Sequence, residues 1–486
     1  MPYDPHHHDR EDWHYMTTVQ EDAGLTATTE IREGEYGEKV AVIEPGGAEF
    51  IPLNERHGKP LNLFWTWMSP NFEFATVFVG FLAIEAFGLT FWQAFWSIVL
   101  GTVLGSVTHG ALSARGPSYG VPQMVLSRIS FGYWGNTLPA GINSVIAGVG
   151  WFAVNSVSGA LALTSLWSIN KYLSLVIIVV AQLAIALFGH NLVHLFERYA
   201  FPLLVIAFGL GAIWTFKDAH YGAAPPYHGG IGGFLISVGA TFGYACGWNP
   251  YASDYTRYMA PETSKKATAW WSGFGVALSC IVLEVVGAAS ATISGGAGFD
   301  GPGPFVSPYP RVIRDLVLLS IAVGAVAANA LNIYSGAISF TALGFKIPLK
   351  LRRALIAGVF GVAGFVVAAL GINNIDKYEN FLLIIAYWIG PWLAVYLVDQ
   401  LINPGNHAAK LFDHKHENWA GPIAMAIGMA VSIPLFSNQT KFVAWVPKHH
   451  PKFGDLTFEV GFVVAAVVYF VLFKTGIGTK KKAAAA

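Results

Sequence analysis

The chain has 486 residues, of which 54% are hydrophobic and only 12% charged, against roughly 25% charged in an ordinary soluble domain. Such a composition excludes a soluble globular enzyme and indicates a membrane protein. Lys plus Arg balances Asp plus Glu at 29 each, so no basic excess suggests nucleic acid as a partner. The only two cysteines, Cys246 and Cys280, lie in apolar segments and support neither a disulfide framework nor a cysteine metal site; no cofactor or metal ion is expected.

Residues 1–60 are polar and charged and lack a cleavable signal pattern, which predicts a cytoplasmic, partly disordered tail. Beyond them, a bilayer core of roughly 30 Å needs about 20 apolar residues per helix. Such stretches fall at approximately 62–88, 91–112, 137–164, 172–189, 195–216, 232–257, 268–293, 314–343, 354–371, 378–400, 418–436 and 457–475. The pattern predicts an all-α polytopic membrane protein of about 12 transmembrane helices. Lys and Arg favour the loops after even-numbered spans, among them Arg115, Arg128, Lys265, Lys266, Arg352, Arg353 and Lys410. This bias places both termini in the cytoplasm of a plasma or inner membrane.

Span 1 reads LNLFWTWMSPNFEFATVFVGFLA and is interrupted at Ser69, Pro70 and Asn71. Proline removes a backbone donor, and a break at this depth is tolerated only where it is buried in protein or lines a cavity. Glu73 follows the break. An ionisable residue within a span is a functional candidate by default, and Glu73 can serve as a proton carrier, contact a substrate, or take a structural partner. Span 3 contains GVGWFAVNSVSG, where Trp151 and Asn155 are one helical turn apart on one face. A flat π surface beside an amide suits a neutral planar heterocycle, and it equally suits helix-to-helix packing.

Span 6 contains GYACGWNPYASDYTRY, where Gly247 and Pro250 flank Trp248 and Asn249 and interrupt the helix as in span 1. Asp254 and Arg257 read as a charge pair at the end of this span. Glu284 lies within span 7. Span 8 carries Asn329 and Asn332 three residues apart, so that these amides either join helices or meet a ligand. His109 and His190 read as interfacial.

Breaks in the first and sixth spans divide the chain into a first repeat at 61–216 and a second at 232–400, followed by two additional spans at 417–475 and a short cytoplasmic tail at 476–486. An odd number of spans per half inverts the second copy, as in many secondary transporters. No Ser-His-Asp or His-Glu-x-x-His pattern suggests an enzyme.

Several segments together resemble the nucleobase:cation symporter family, in its purine/cytosine permease branch. They are GPSYGVPQMVLSRISFGYWGN at 116–136, GVGWFAVNSVSGALAL at 148–163, GWNPYASDYTRYM at 247–259, ALNIYSGAISF at 330–340 and YENFLLIIAYWIGPWLAVYLVD at 378–399. The resemblance implies a leucine-transporter-like five-plus-five inverted repeat with broken helices 1 and 6. It also implies a planar base held between Trp151 and Trp248, with Gly247 beside the ring and Asn155 and Asn332 contacting the base. Ser69, Pro70, Asn71, Pro250 and Asn329 are then candidate gate or backbone-break residues.

Sodium-coupled relatives use a Ser-Thr pair in span 8. The aligned positions here are Val326 and Ala327, so the coupling ion expected is a proton rather than sodium. The partners expected are a small-molecule nucleobase, a coupling cation and the lipid bilayer, and nothing in the sequence sets an oligomeric state. The alternatives are an allantoin, hydantoin or uracil permease of the same family, or, in another class, a channel or a non-transporting receptor.

Overall fold

The computed structural model describes residues 47–188, 190–294, 301–345, 349–373 and 378–478; most of the expected disordered tail, with residues 1–46, lies outside them. The described chain is a helical bundle whose long apolar helices follow the predicted order. Among the described residues, eight helices are long and apolar enough to cross a membrane, or nine if one bent pair counts as a single span. The shorter apolar helices Lys171–Ala186, Gly358–Gly371 and Ala420–Phe436 occupy the places of spans 4, 9 and 11.

Span 1 consists of Asn62–Met68, a 3₁₀ turn at Ser69–Asn71, and Phe74–Glu85, with a 61° bend between the two helical parts. Phe72 and Glu73 leave the helical region altogether, with Glu73 extended at φ −149° and ψ 170°. The backbone groups freed by this break find partners within the protein, as apolar surroundings require. The Asn71 side chain donates to Trp67 O at 2.8 Å, and Thr76 Oγ1 donates to Asn71 O at 2.5 Å.

Span 6 is interrupted where the sequence suggests, but it lacks the bend of span 1. It runs from Gly230 to Cys246, passes through a 3₁₀ turn at Asn249–Tyr251 and continues at Ala252–Thr256 without a bend beyond 40°. Pro250 sits in the first turn of a new helical segment, where its missing N–H costs nothing. Gly247, Trp248 and Ala252 all remain right-handed helical, so the interruption changes the hydrogen bonding of span 6 and not its direction. Span 3 holds an irregularity that no proline announces: a π-helical turn at Ile146–Trp151 separates Thr137–Val145 from Phe152–Trp167.

Helix contacts follow the inverted repeat. Span 7 (Lys265–Ser294) packs on span 1, and span 6 packs on span 2 (Phe91–Ser113), which is the same pairing with the halves exchanged. Span 4 packs on span 8 (Arg311–Thr341), and span 9 packs on span 3. Spans 10 (Tyr378–Ile402), 11 and 12 (Thr457–Thr475) pack on one another, and span 10 joins them to span 6.

The break of span 1 rests directly against span 8 at Gly324. A Cβ at that position would lie 2.0 Å from Phe72 O and 3.2 Å from Glu73 Cβ. Overpacking of this kind costs about 1–3 kcal/mol, so Gly324→Val is expected to lower the melting temperature of the detergent-solubilised protein by several degrees. A melting temperature equal to wild type would show that the break does not depend on this contact.

Candidate substrate site

A small cavity lies between spans 1, 3, 6 and 8, lined by Pro70, Glu73, Trp151, Asn155, Tyr244, Gly247, Trp248, Ala328 and Asn332. Spans 1 and 6 contribute at their interruptions, and span 3 contributes at the end of its π turn, a local distortion often found at functional sites. The sequence thus picked out Glu73, Trp151, Asn155, Gly247, Trp248 and Asn332, and all six meet here, together with Pro70. Ser69, Asn71, Pro250 and Asn329 are buried close by and do not line the cavity. Tyr244 and Ala328 escaped the sequence reading; the signal for Tyr244 was its spacing one turn before Trp248.

Both tryptophans are held by identifiable contacts. The Trp248 indole Nε1 donates to Asn71 Oδ1 at 3.0 Å, and its ring lies 5.9 Å from that of Trp67. Trp151 is fixed edge-on by Tyr244 at 5.6 Å and by Phe381 of span 10 at 5.3 Å. A Cβ on Gly247 would come within 3.3 Å of Trp151 Cζ2 and of Gly243 O, so a larger residue there would crowd the tryptophan. Phe381 also lines a larger, mainly apolar pocket with Phe74, Phe78, Val157, Leu161 and Val367. It therefore stands between the two spaces.

Polar groups of the small cavity form two clusters. In one, Asn155 Nδ2 donates to Asn329 Oδ1 at 3.1 Å and Asn332 Nδ2 donates to the same oxygen at 3.2 Å. Asn155 Oδ1 and Asn332 Oδ1 remain buried without a partner. In the other, the hydroxyls of Thr76 and Tyr244 lie 2.5 Å apart, and Tyr244 OH is 3.3 Å from Glu73 Oε1. Glu73 Oε2 has no partner.

Toward the end of the molecule carrying residue 47, the bundle is closed by the N-terminal segment and the short helices between spans 2 and 3. Arg257, fully buried, donates to Gly47 O at 3.0 Å and Glu49 O at 3.2 Å, and to the hydroxyls of Tyr258 and Tyr334. Asp254 accepts from Gln123 N at 2.9 Å. These residues therefore tie the end of span 6 to its neighbours, and the charges of Asp254 and Arg257 also act on each other, as the sequence suggests. Arg56 binds Ile51 O and Pro117 O. Burial lowers its guanidinium to about 9, so it is still charged at neutral pH. His109, expected at the interface, is fully buried, with its ring 4.3 Å from that of Trp67.

The chain is similar to known proteins in sequence and in fold. Residues 50–461 match the family model of permeases for cytosine/purines, uracil, thiamine and allantoin. The chain belongs to this permease family. It is 30% identical over 461 residues to the YxlA protein of Bacillus subtilis, covering 91% of this chain and 98% of that one. It is also 28% identical over 456 residues to the purine-cytosine permease fcyB of Emericella nidulans, covering 88% of each. Its fold is similar to that of Mhp1, a nucleobase-cation-symport-1 family transporter solved in a closed conformation with bromovinylhydantoin bound, with a TM-score of 0.68 at 17% identity over 89% of this chain and 94% of that one. The permease is accordingly a polytopic membrane transporter and not an enzyme.

The seal around Arg257 can be tested by thiol labelling. Ser335, fully buried in span 8, is expected to react slowly with a water-soluble maleimide as Ser335→Cys and several-fold faster when Arg257→Ala is added. Equal rates would show that Arg257 does not close this end.

Proposed function

We propose that the permease is a secondary active importer of a nucleobase, cytosine and/or a purine, working by alternating access and coupled to protons. Its two repeats are 61–216 and 232–400, and both termini face the cytoplasm, as the distribution of basic loop residues favours. The observation that supports this reading best is the cavity itself: two indoles and two amides converge where the backbone of span 1 is broken.

In this reading Trp151 and Trp248 stack on the two faces of the base, with Gly247 beside the ring. Asn155 and Asn332 read its edge. Stacking contributes about 1–3 kcal/mol per base and tolerates any base. Discrimination comes from the amides, because a wrong edge leaves a buried polar group unpaired. Removing either indole is therefore expected to weaken binding of every base by roughly 5- to 150-fold. Unchanged affinity in Trp248→Ala, measured by equilibrium binding, would rule out the sandwich.

Proton coupling is supported by hydrogen bookkeeping around Glu73. Asn71 O can only accept, so the single hydrogen of Thr76 goes to it at 2.5 Å. Tyr244, with one hydrogen, faces both Glu73 Oε1, to which it donates, and Thr76 Oγ1. A charged Glu73 holds that hydrogen, and a protonated Glu73 frees it for Thr76. Asn71 O keeps the N–H of Glu73 in either case, so the charge of Glu73 acts on the side-chain hydrogen bonds at the break of span 1. The positions that supply sodium ligands in sodium-coupled relatives hold Val326 and Ala327, which offer no side-chain oxygen.

In proteoliposomes, uptake is expected to rise as the outside is acidified relative to the lumen, to fall with a protonophore, and to be indifferent to sodium. Glu73→Gln is expected to keep exchange of base for base and lose accumulation driven by the proton gradient. Uptake abolished by sodium removal and insensitive to the protonophore would overturn the proton reading.

A further inference from the structure

Asn329 stands one layer behind the cavity, and its hydrogen bonds set the direction of the two amides that do line it. Its Nδ2 donates to the backbone carbonyl of Phe152 at 2.8 Å and to Ser156 Oγ at 3.2 Å. A backbone carbonyl can only accept, so this bond leaves Asn329 one orientation, with Oδ1 as an acceptor. Both Asn155 and Asn332 meet that oxygen, and each must present its Nδ2 to it. The orientation is supported from behind: Ser156 Oγ donates to Gln182 Oε1 at 2.9 Å, and Gln182 Nε2 donates to Ala325 O at 3.3 Å. Each link of the chain ends on a group whose polarity is fixed by the backbone.

The consequence for the cavity is an asymmetry that the amino-acid types alone do not carry. An asparagine offers two N–H donors and an acceptor; here one N–H of each lining amide goes to Asn329, and the oxygens, Asn155 Oδ1 and Asn332 Oδ1, are buried without a partner. Two buried acceptors thus face the cavity with a desolvation cost that an N–H of the ligand removes.

We infer that Asn329 is the positioning residue that makes this site a reader of N–H donors, so that heterocycles carrying an amino group are preferred over their oxo counterparts of the same size. This rests on the nucleobase reading above and adds to it the polarity of the edge that is read. Asn329 is fully buried and acts through Asn155 and Asn332 without touching the ligand. The role differs from the gate or break suggested by its sequence position.

The test is equilibrium binding of cytosine and uracil to the purified full-length protein, with adenine and hypoxanthine as a second amino/oxo pair. Wild type is expected to prefer the amino member of each pair. Asn329→Ala, and Asn329→Leu, which keeps the side-chain volume if the alanine variant does not fold, remove the shared acceptor and let the two amides rotate. In these variants the amino-over-oxo ratio is expected to fall by about tenfold, the equivalent of one hydrogen bond of discrimination. Asn329→Asp keeps an oxygen toward both amides and, as the carboxylic acid, a hydroxyl donor toward Phe152 O, and in that form is expected to retain the preference. A merely structural role would weaken both members of a pair alike: an unchanged ratio in Asn329→Ala or Asn329→Leu overturns this inference alone. A wild type that binds none of the four overturns the nucleobase reading and this inference together.

Discussion

A helix that stops in the middle of a membrane leaves backbone groups that lipid cannot satisfy, and in this permease one side chain both meets one of them and joins the break to its neighbours. The Asn71 amide donates to Trp67 O within span 1 and to Ser279 Oγ of span 7, while its oxygen accepts the indole N–H of Trp248 in span 6. Three spans are thereby joined at the depth of the break, and the joint also sets the plane of a tryptophan that lines the cavity. A buried hydrogen bond contributes only about 0.5–1.5 kcal/mol net, but an orphaned buried group costs about 1–3 kcal/mol. The value of Asn71 therefore lies in the groups it prevents from being left unpaired.

A similar arrangement holds the opposite wall. Asn329 pairs with the Phe152 carbonyl just after the π turn of span 3 and gathers Asn155 and Asn332 around its oxygen. On both sides, an asparagine outside the cavity fixes the groups that line it. The lining residues can then be few, and Glu73 Oε2 and the two amide oxygens remain without a partner. Arg257 ties the end of span 6 to the N-terminal segment, and a larger apolar pocket lies beside Phe381.

Much of this was legible in the sequence, because the strongest signals are local. Apolar run length gave the order of the spans, Ser-Pro-Asn gave the break of span 1, and one-turn spacing gave the Trp151/Asn155 face. What stayed hidden depends on partners distant in the chain. Pro250 looks like Pro70 in sequence, but one begins a helical segment and the other is followed by two non-helical residues, so only span 1 bends sharply among the described residues. His109 and Arg128 read as boundary residues and are buried. The short helices between spans 2 and 3 cover this end, and Arg128 bonds to Ala342 O and Leu411 O far along the chain. The π turn of span 3 has no proline to betray it, and Asn329 could not be told from Asn332 until the contacts showed which of the two faces the cavity.

A structure of the protein with cytosine bound would show whether the break of span 1, the tryptophans and the amides form one nucleobase site. The ring is expected between Trp151 and Trp248, its edge toward Asn155 and Asn332. Density for the base in the apolar space lined by Phe74, Phe78 and Leu161, with the small cavity empty, would contradict it.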